Sequence, residues 1–287
     1  MDRPIFAQLA VAAAGEFDSL AVAPAAILAA RAQGASVQDI RQRADDLGVR
    51  FTFLDGVSGW LPKWYPTQGD PEFCASIRQR FAIDTEEALA LGAELGMTAV
   101  VAVGAFDPGA LHRDVQVECF DAFCRLAAKH GMRTSLEFIP FWGIPELGDA
   151  WDILSKAAYP GAGLVLDTWH MQRGGQDFRR DLALLGEIAA SCPFDVQLAD
   201  ACRGTGWKNL IADVAFRGFA GDGSLDVARM VKPLAASGAL KTIGPEVFGH
   251  EIAALSLDDL GRRGGETTQL VLAATRPPPP PPARLDI

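Results

Sequence analysis

Short β-branched or apolar runs alternate with longer helical patterns through most of this chain, and that alternation limits the fold to a parallel sheet covered by helices. Candidate strands occupy residues 18–23, 50–54, 98–103, 134–138, 163–167, 195–198 and 242–247, each the length of a buried parallel strand. The helices between them carry their own signals. Asp84-Thr85-Glu86-Glu87 resembles a capping box ahead of 88–95, and Gly96 stands where a helix stop belongs. Residues 113–130 place Val117, Phe120, Phe123, Cys124 and Ala127 at helical spacing and end at Gly131. A further helix is expected over 224–236, opened by Ser224 and closed near Gly238.

An open doubly wound sheet and a closed barrel both satisfy this pattern. No GxGxxG follows the first strand and no P-loop occurs, whereas oxygen-bearing side chains recur at the ends of successive strands. A barrel gathers strand-end residues at one face, so a TIM-type (β/α)8 barrel over residues 1–275 is the expectation. Its first strand is atypical or lacking: residues 4–14 read as a helix, and a strand preceding it would have to lie before Met1. Residues 276–287 form a separate tail, in which Pro277 to Pro282 can only adopt polyproline II, a spacer or docking strand outside the core.

Charge narrows the partners. A formal net charge of −10 repels phosphate backbones and anionic lipid, so neither nucleic acid nor a membrane is expected as a partner. A nuclease on the same barrel would need a histidine-rich zinc cluster and a basic groove, and this chain has only 4 histidines. Its 5 cysteines show no CxxC spacing and no need for disulfides, which suits a reducing cytoplasm. The alanine-rich run from Ile5 to Ala14 imitates a signal peptide only weakly, because Asp2 offsets Arg3.

Four strand-end residues carry the chemistry. Glu137, Asp167, Gln197 and Glu246 are spaced by 30, 30 and 49 residues, so each arrives on its own βα unit at one barrel mouth. A carboxylate ending an apolar strand is costly to bury alone, and a divalent cation neutralises several at once. Three carboxylates and an amide oxygen are hard donors. Mn²⁺ or Mg²⁺ fits them best, with Zn²⁺ or Co²⁺ as further options. The bland alternative is that each acid caps a helix or pairs with an arginine.

Leu136-Glu137-Phe138, Leu164 to His170 (LVLDTWH), Val196 to Ala201 (VQLADA), Arg217 to Asp226 (RGFAGDGSLD) and Pro245-Glu246-Val247-Phe248 occur in an order that resembles the sugar phosphate isomerase/epimerase group of xylose-isomerase-like TIM barrels, from residue 17 to 272. The resemblance implies that Glu137, Asp167, Gln197 and Glu246 hold the metal and that His170 faces the substrate. One departure matters. Many members have histidine where this chain has Gln197, and glutamine there looks like the 3-dehydroshikimate dehydratase branch.

All these chemistries begin by removing a proton next to a carbonyl. The expected function is a metal-dependent isomerase or epimerase of a polyhydroxylated small molecule, with a dehydratase or a non-catalytic binding barrel as alternatives. Glu137 and Glu246 are the acid/base pair of the epimerase reading, and His170 the base of the dehydratase reading. Arg173, Arg203 and Arg217 stand where they could clamp a carboxylate or phosphate. Trp60 and Trp142 could wall the substrate, and Asp200 supports the ligands from behind. The long segment 55–70 is a candidate lid. Pairing into a homo-oligomer through exposed helices is compatible with the sequence.

Overall fold

The segment Ala99-Val100-Val101-Ala102-Val103 has no polar face, so it is stable only where both sides are covered. In the computed structural model, which describes residues 3–175, 177–201 and 210–276, all five of its side chains are buried. Val100 and Ala102 join Leu136, Leu164 and Leu166 beneath the helices. Ala99, Val101 and Val103 join Phe53 and Val165 in the barrel interior.

The strands are β1 (Ser19–Val22), β2 (Arg50–Val57), β3 (Ala99–Val103), β4 (Arg133–Glu137), β5 (Gly163–Asp167), β6 (Phe194–Leu198), β7 (Asp200–Ala201), β8 (Arg217–Gly218) and β9 (Leu240–Pro245). Seven form one parallel sheet in the order β1-β2-β3-β4-β5-β6-β9, while β7 and β8 make a small antiparallel ribbon beside the mouth. The helices are α1 (Ile5–Ala14), α2 (Pro24–Ala32), α3 (Val37–Asp46), α4 (Pro71–Arg80), α5 (Thr85–Glu94), α6 (Arg113–Lys129), α7 (Leu147–Ala157), α8 (Phe178–Ile188), α9 (Leu210–Asp213), α10 (Val227–Ser237), α11 (His250–Ala254) and α12 (Leu257–Thr275). Among the described residues, no helix is long and apolar enough to cross a membrane.

Among the described residues, this is a TIM-barrel fold lacking one strand. The segment before β1 is the helix α1, so β1 and β9 are the two free edges of the sheet. The outer layer is nevertheless closed, because α1 packs on α12. Glycines permit that approach: a Cβ on Gly15 would meet the Gly261 carbonyl oxygen at 2.5 Å. Between the strand edges lies a cavity of about 360 Å³ that reaches from Phe17 and Ile243 to Asp55, Gln197 and Glu246.

Two expectations shift. Helix α10 begins at Val227 rather than Ser224, because Ser224 N donates to Ala201 O (3.2 Å) and Leu225 N to Asp200 Oδ1 (2.8 Å), which holds those residues in the preceding loop. Strand β2 runs on to Val57 and so absorbs the start of the expected lid. The rest of that segment is tied down. Asp107 accepts from Thr67 N (2.8 Å), Thr67 Oγ1 (2.6 Å) and Gln68 N (3.1 Å).

At the end of the barrel away from the mouth, a polar network plugs the interior. Arg133 donates to both oxygens of Asp195 at 2.7 Å, and Ser135 Oγ (2.7 Å) and Thr242 Oγ1 (2.9 Å) donate to the same carboxylate.

Candidate active site

The parallel register sets the four expected ligands side by side. Glu137 ends β4 opposite Val103 and Val165, Asp167 pairs with Gln197 across β5 and β6, and Glu246 follows β9 with its N–H on Leu198 O at 2.8 Å. Glu137 and Asp167 are buried, Gln197 and Glu246 line the cavity. The amide oxygen of Gln197 is buried without a hydrogen-bond donor.

Asp167 also shapes the chain that follows it. Its Oδ1 accepts from His170 N (2.7 Å) and caps a single π-turn, His170–Gly174, of the kind found often at functional sites. Thr168 Oγ1 donates to Ala199 O at 2.7 Å and clips this turn to the end of β6.

Arg217 enters the cluster from β8. Its Nη1 donates to Asp167 Oδ2 (2.6 Å) and Glu246 Oε2 (2.9 Å), and its guanidinium carbon lies 5.1 Å from the Trp169 ring centre and 5.0 Å from that of Phe248. Its side chain is only 3 % exposed. Arg217 is therefore a buried counter-charge to the carboxylates, and not the free substrate clamp expected of it.

His170 also differs from expectation. It is buried, does not line the cavity, and its Nε2 lies 2.6 Å from Arg217 Nη2, so that lone pair is already engaged. Its Nδ1 sits 3.2 Å from Glu137 Oε1 without hydrogen-bond alignment. Burial first, with Arg217 assisting against the pull of Asp167, drives its pKa down to about 3. An imidazole held this way positions Arg217.

The carboxylates divide by neighbour. Burial raises the Glu137 carboxyl well above the usual range, and the charges of Asp55 and Asp167 add to that. Glu246 is likewise raised well up, by desolvation and by Asp167 and Glu137 against the pull of Arg217. For Asp167, burial is outweighed by Arg217 and His170, and its carboxyl falls below the usual value.

The remaining expected residues separate. Trp142 is buried in the interior cluster beside Phe81, its indole N–H unpaired. Trp60 does not line the cavity: it donates to Val103 O (3.0 Å) and stacks on Phe123, part of the packing under α6. Arg173 is engaged by the buried Asp213 at 2.5 Å. Asp200 is fully buried and accepts from Ala201 N, Gly221 N and Leu225 N, so it holds the loop after Arg217. Arg203 and the proline tail lie outside the described residues.

Two residues at the mouth escaped the sequence reading. Asp55 on β2 lines the cavity, and Arg80 at the end of α4 supplies the positive charge nearest to it. A signal existed for the first, since Asp55 closes the apolar run Phe51-Thr52-Phe53-Leu54 as Asp167 closes its own strand.

The model of the xylose isomerase-like TIM barrel family matches residues 9–269. This chain belongs to that family. A 3-dehydroshikimate dehydratase of Pseudomonas putida is 27% identical over 228 residues, 76% of this chain and 32% of that protein, so the chain spans about a third of the length of this relative. Among solved structures, the IOLI protein with a bound zinc atom has a TM-score of 0.77 at 17% identity, covering 96% of this chain and 95% of that one. An L-ribulose 3-epimerase reaches 0.63 at 17% identity, with 91% and 86% covered.

The donor set fits a divalent ion. Three carboxylates face one guanidinium, with His170 neutral, which leaves two uncompensated negative charges when all are ionised. The unpaired Gln197 oxygen is a further hard donor, on the strand position that pairs with Asp167, and Glu137, Asp167 and His170 offer ligand atoms within 4.8 Å of one another.

Proposed function

We propose that this chain is a divalent-metal-dependent enzyme that removes a proton next to a carbonyl, and that it dehydrates 3-dehydroshikimate. The observation that carries the metal-dependent reading is the buried excess of carboxylate at neighbouring strand ends, one of which pairs with a strand position bearing an unpaired amide oxygen. The curated relative, together with glutamine at position 197, favours elimination. Glu137, Asp167, Gln197 and Glu246 would hold the ion. When bound, it supplies a Lewis acid for the substrate carbonyl and the positive charge that keeps its carboxylates ionised.

The protein's own groups do the rest. Glu246 is the acidic member of the ligand set that opens onto the cavity, and in this reading it takes the proton from the carbon beside the carbonyl. Arg217, braced between Trp169 and Phe248, holds Asp167 and Glu246 at fixed positions. Trp142 and Phe81 wall the interior against water.

Epimerisation of a sugar ketone is the second reading, favoured by two glutamates, Glu137 and Glu246, standing close enough in one site to act as an acid/base pair. Incubation with 3-dehydroshikimate separates the two. Ultraviolet absorbance of an aromatic product is expected with Mn²⁺, Mg²⁺, Zn²⁺ or Co²⁺ and lost with EDTA. If no metal yields product at high enzyme concentration while a ketose panel epimerises, dehydration gives way to epimerisation.

A further inference from the structure

Elimination from a hydroxylated ring ketone needs two proton transfers: one removes the proton beside the carbonyl, the other completes departure of the hydroxyl as water. With His170 locked against Arg217, the first falls to Glu246 in the reading above. We infer that Asp55, which faces the same cavity, is the catalytic residue that delivers the second proton to the leaving hydroxyl. This rests on the dehydratase reading and names a role within it.

Backbone geometry puts Asp55 there. Strand β2 pairs with β3 at Leu54↔Val100 and next at Val57↔Ala102, so three steps on one strand match two on the other. The extra residue makes a bulge at Asp55-Gly56, and bulges beside active sites re-aim a side chain. Gly56 takes φ +79°, a left-handed conformation that glycine adopts without strain, and a Cβ there would press on the Phe81 ring at 3.2 Å. An ordinary strand end would need neither feature.

The surroundings suit an acid. Asp55 is half-buried and lines the cavity with Gln197 and Glu246. Among the described residues no hydrogen bond to its carboxyl is found, and burial, Arg80 and Asp167 dominate its environment. Burial raises its carboxyl, Arg80 pulls it down and Asp167 adds to the rise, leaving it above the usual value. A carboxyl without a structural partner, facing a substrate-sized space, is free to part with a proton.

The step balances without redox. Glu246 takes the proton, the C–H electron pair becomes the enolate double bond, and the enolate expels the hydroxyl on the next carbon. That C–O bond breaks with its pair on oxygen, the Asp55 proton joins it, and water leaves. Asp55 regains a proton from solvent, Glu246 gives its own up, and the ring becomes aromatic by shifting one proton from carbon to the ketone oxygen.

The test compares wild type, Asp55→Asn and Asp55→Glu, each loaded with metal, with Glu246→Gln in the same excess of metal, on 3-dehydroshikimate in D₂O. Product is read by absorbance, deuterium at the carbon beside the carbonyl by NMR, and folding by thermal midpoint and metal content. Asp55→Asn should lower kcat by about 10²-fold, with KM changed by less than about threefold, and still exchange deuterium into unreacted substrate. Asp55→Glu should restore part of the rate, and Glu246→Gln should lose exchange and product together. Two results overturn the inference alone: product formation by Asp55→Asn within about threefold of wild type, or exchange and product lost in step in that variant. If Asp55→Asn does not fold, a fully active Asp55→Glu supports the role and an inactive but folded one, with no exchange, overturns it. No product from wild type overturns the dehydratase reading and this inference with it.

Discussion

The barrel holds an arginine–carboxylate arrangement at each end, with the arginine half-buried at one and buried at the other, and the two are built to opposite specifications. At the lower end, Asp195 receives two bonds from Arg133, one from Ser135 and one from Thr242, so both oxygens are satisfied by partners on two strands, β4 and β9. At the mouth, Arg217 is shared among Asp167, Glu246 and His170, while Glu137 crowds the same space and the Gln197 oxygen has no donor. The first network is closed on itself and serves packing. The second is electrostatically unfinished, and unfinished polar groups in a dry interior persist where a ligand completes them.

The sharpest way to break this contrast is at the mouth. Glu137→Gln or Glu246→Gln should reduce kcat/KM by on the order of 10³ and release the metal, yet leave the metal-free melting temperature unchanged or higher, because each removes charge from a crowded site. Atomic absorption, turnover and calorimetry read the three quantities. A lower end that is only structural responds in the reverse way. Asp195→Ala takes the counter-charge from the half-buried Arg133 and should cost about 1.5–3 kcal/mol in urea unfolding, while the folded fraction keeps its metal and its kcat. Activity lost with stability intact in that variant would erase the distinction between the ends.

Acidity sharpens it next. Glu137 and Glu246 have folded pKa values raised above the unfolded ones, so the metal-free folded chain binds more protons in the intervening window. Their contribution to stability is full below the ordinary carboxylate range and is lost as pH rises through the folded values. Melting of metal-free protein should therefore decline from mildly acidic toward neutral pH, and Glu137→Gln should flatten that slope. Metal at about 100 times its Kd adds about 2.7 kcal/mol, an increment that disappears in Glu246→Gln.

The smallest effect concerns the covering loop. Burial raises the Asp107 carboxyl, but bonds from Thr67 and Gln68 outweigh it and leave the carboxyl below its usual value. Its grip is thus present above the carboxylate range and fails as pH falls. Asp107→Ala should cost about 1–2 kcal/mol and speed proteolysis within residues 61–70 at neutral pH, with metal affinity unchanged.

The mouth was readable in the sequence to the extent that strand ends are. Residues 163–167 were marked as a strand ending in a carboxylate, and β5 spans Gly163–Asp167. The other strands differ by a residue or two at their ends, save β2, whose bulge carries it three residues further. Side chains whose roles depend on a distant neighbour were not readable. Trp60 follows a strand, as a substrate-facing residue would, but the position of Phe120 and Phe123 on α6 draws it into the outer packing. Arg173 meets Asp213 from a short helix 40 residues away, and Arg217 turns inward because three acids and two aromatic rings make that its best environment. Periodicity reports which face of an element is apolar and is silent about which ion finds which.

The contact of α1 with α12 sets the calibre of the space where these groups act. The cavity opens between strand edges that do not bond to each other, so its width is governed from outside, by how closely two helices approach at Gly15 and Gly261. A methyl group added at either position has a backbone carbonyl in its way and must pry the helices apart. Under the proposed function, selectivity for substrate size would thereby be entrusted partly to residues that never meet the substrate.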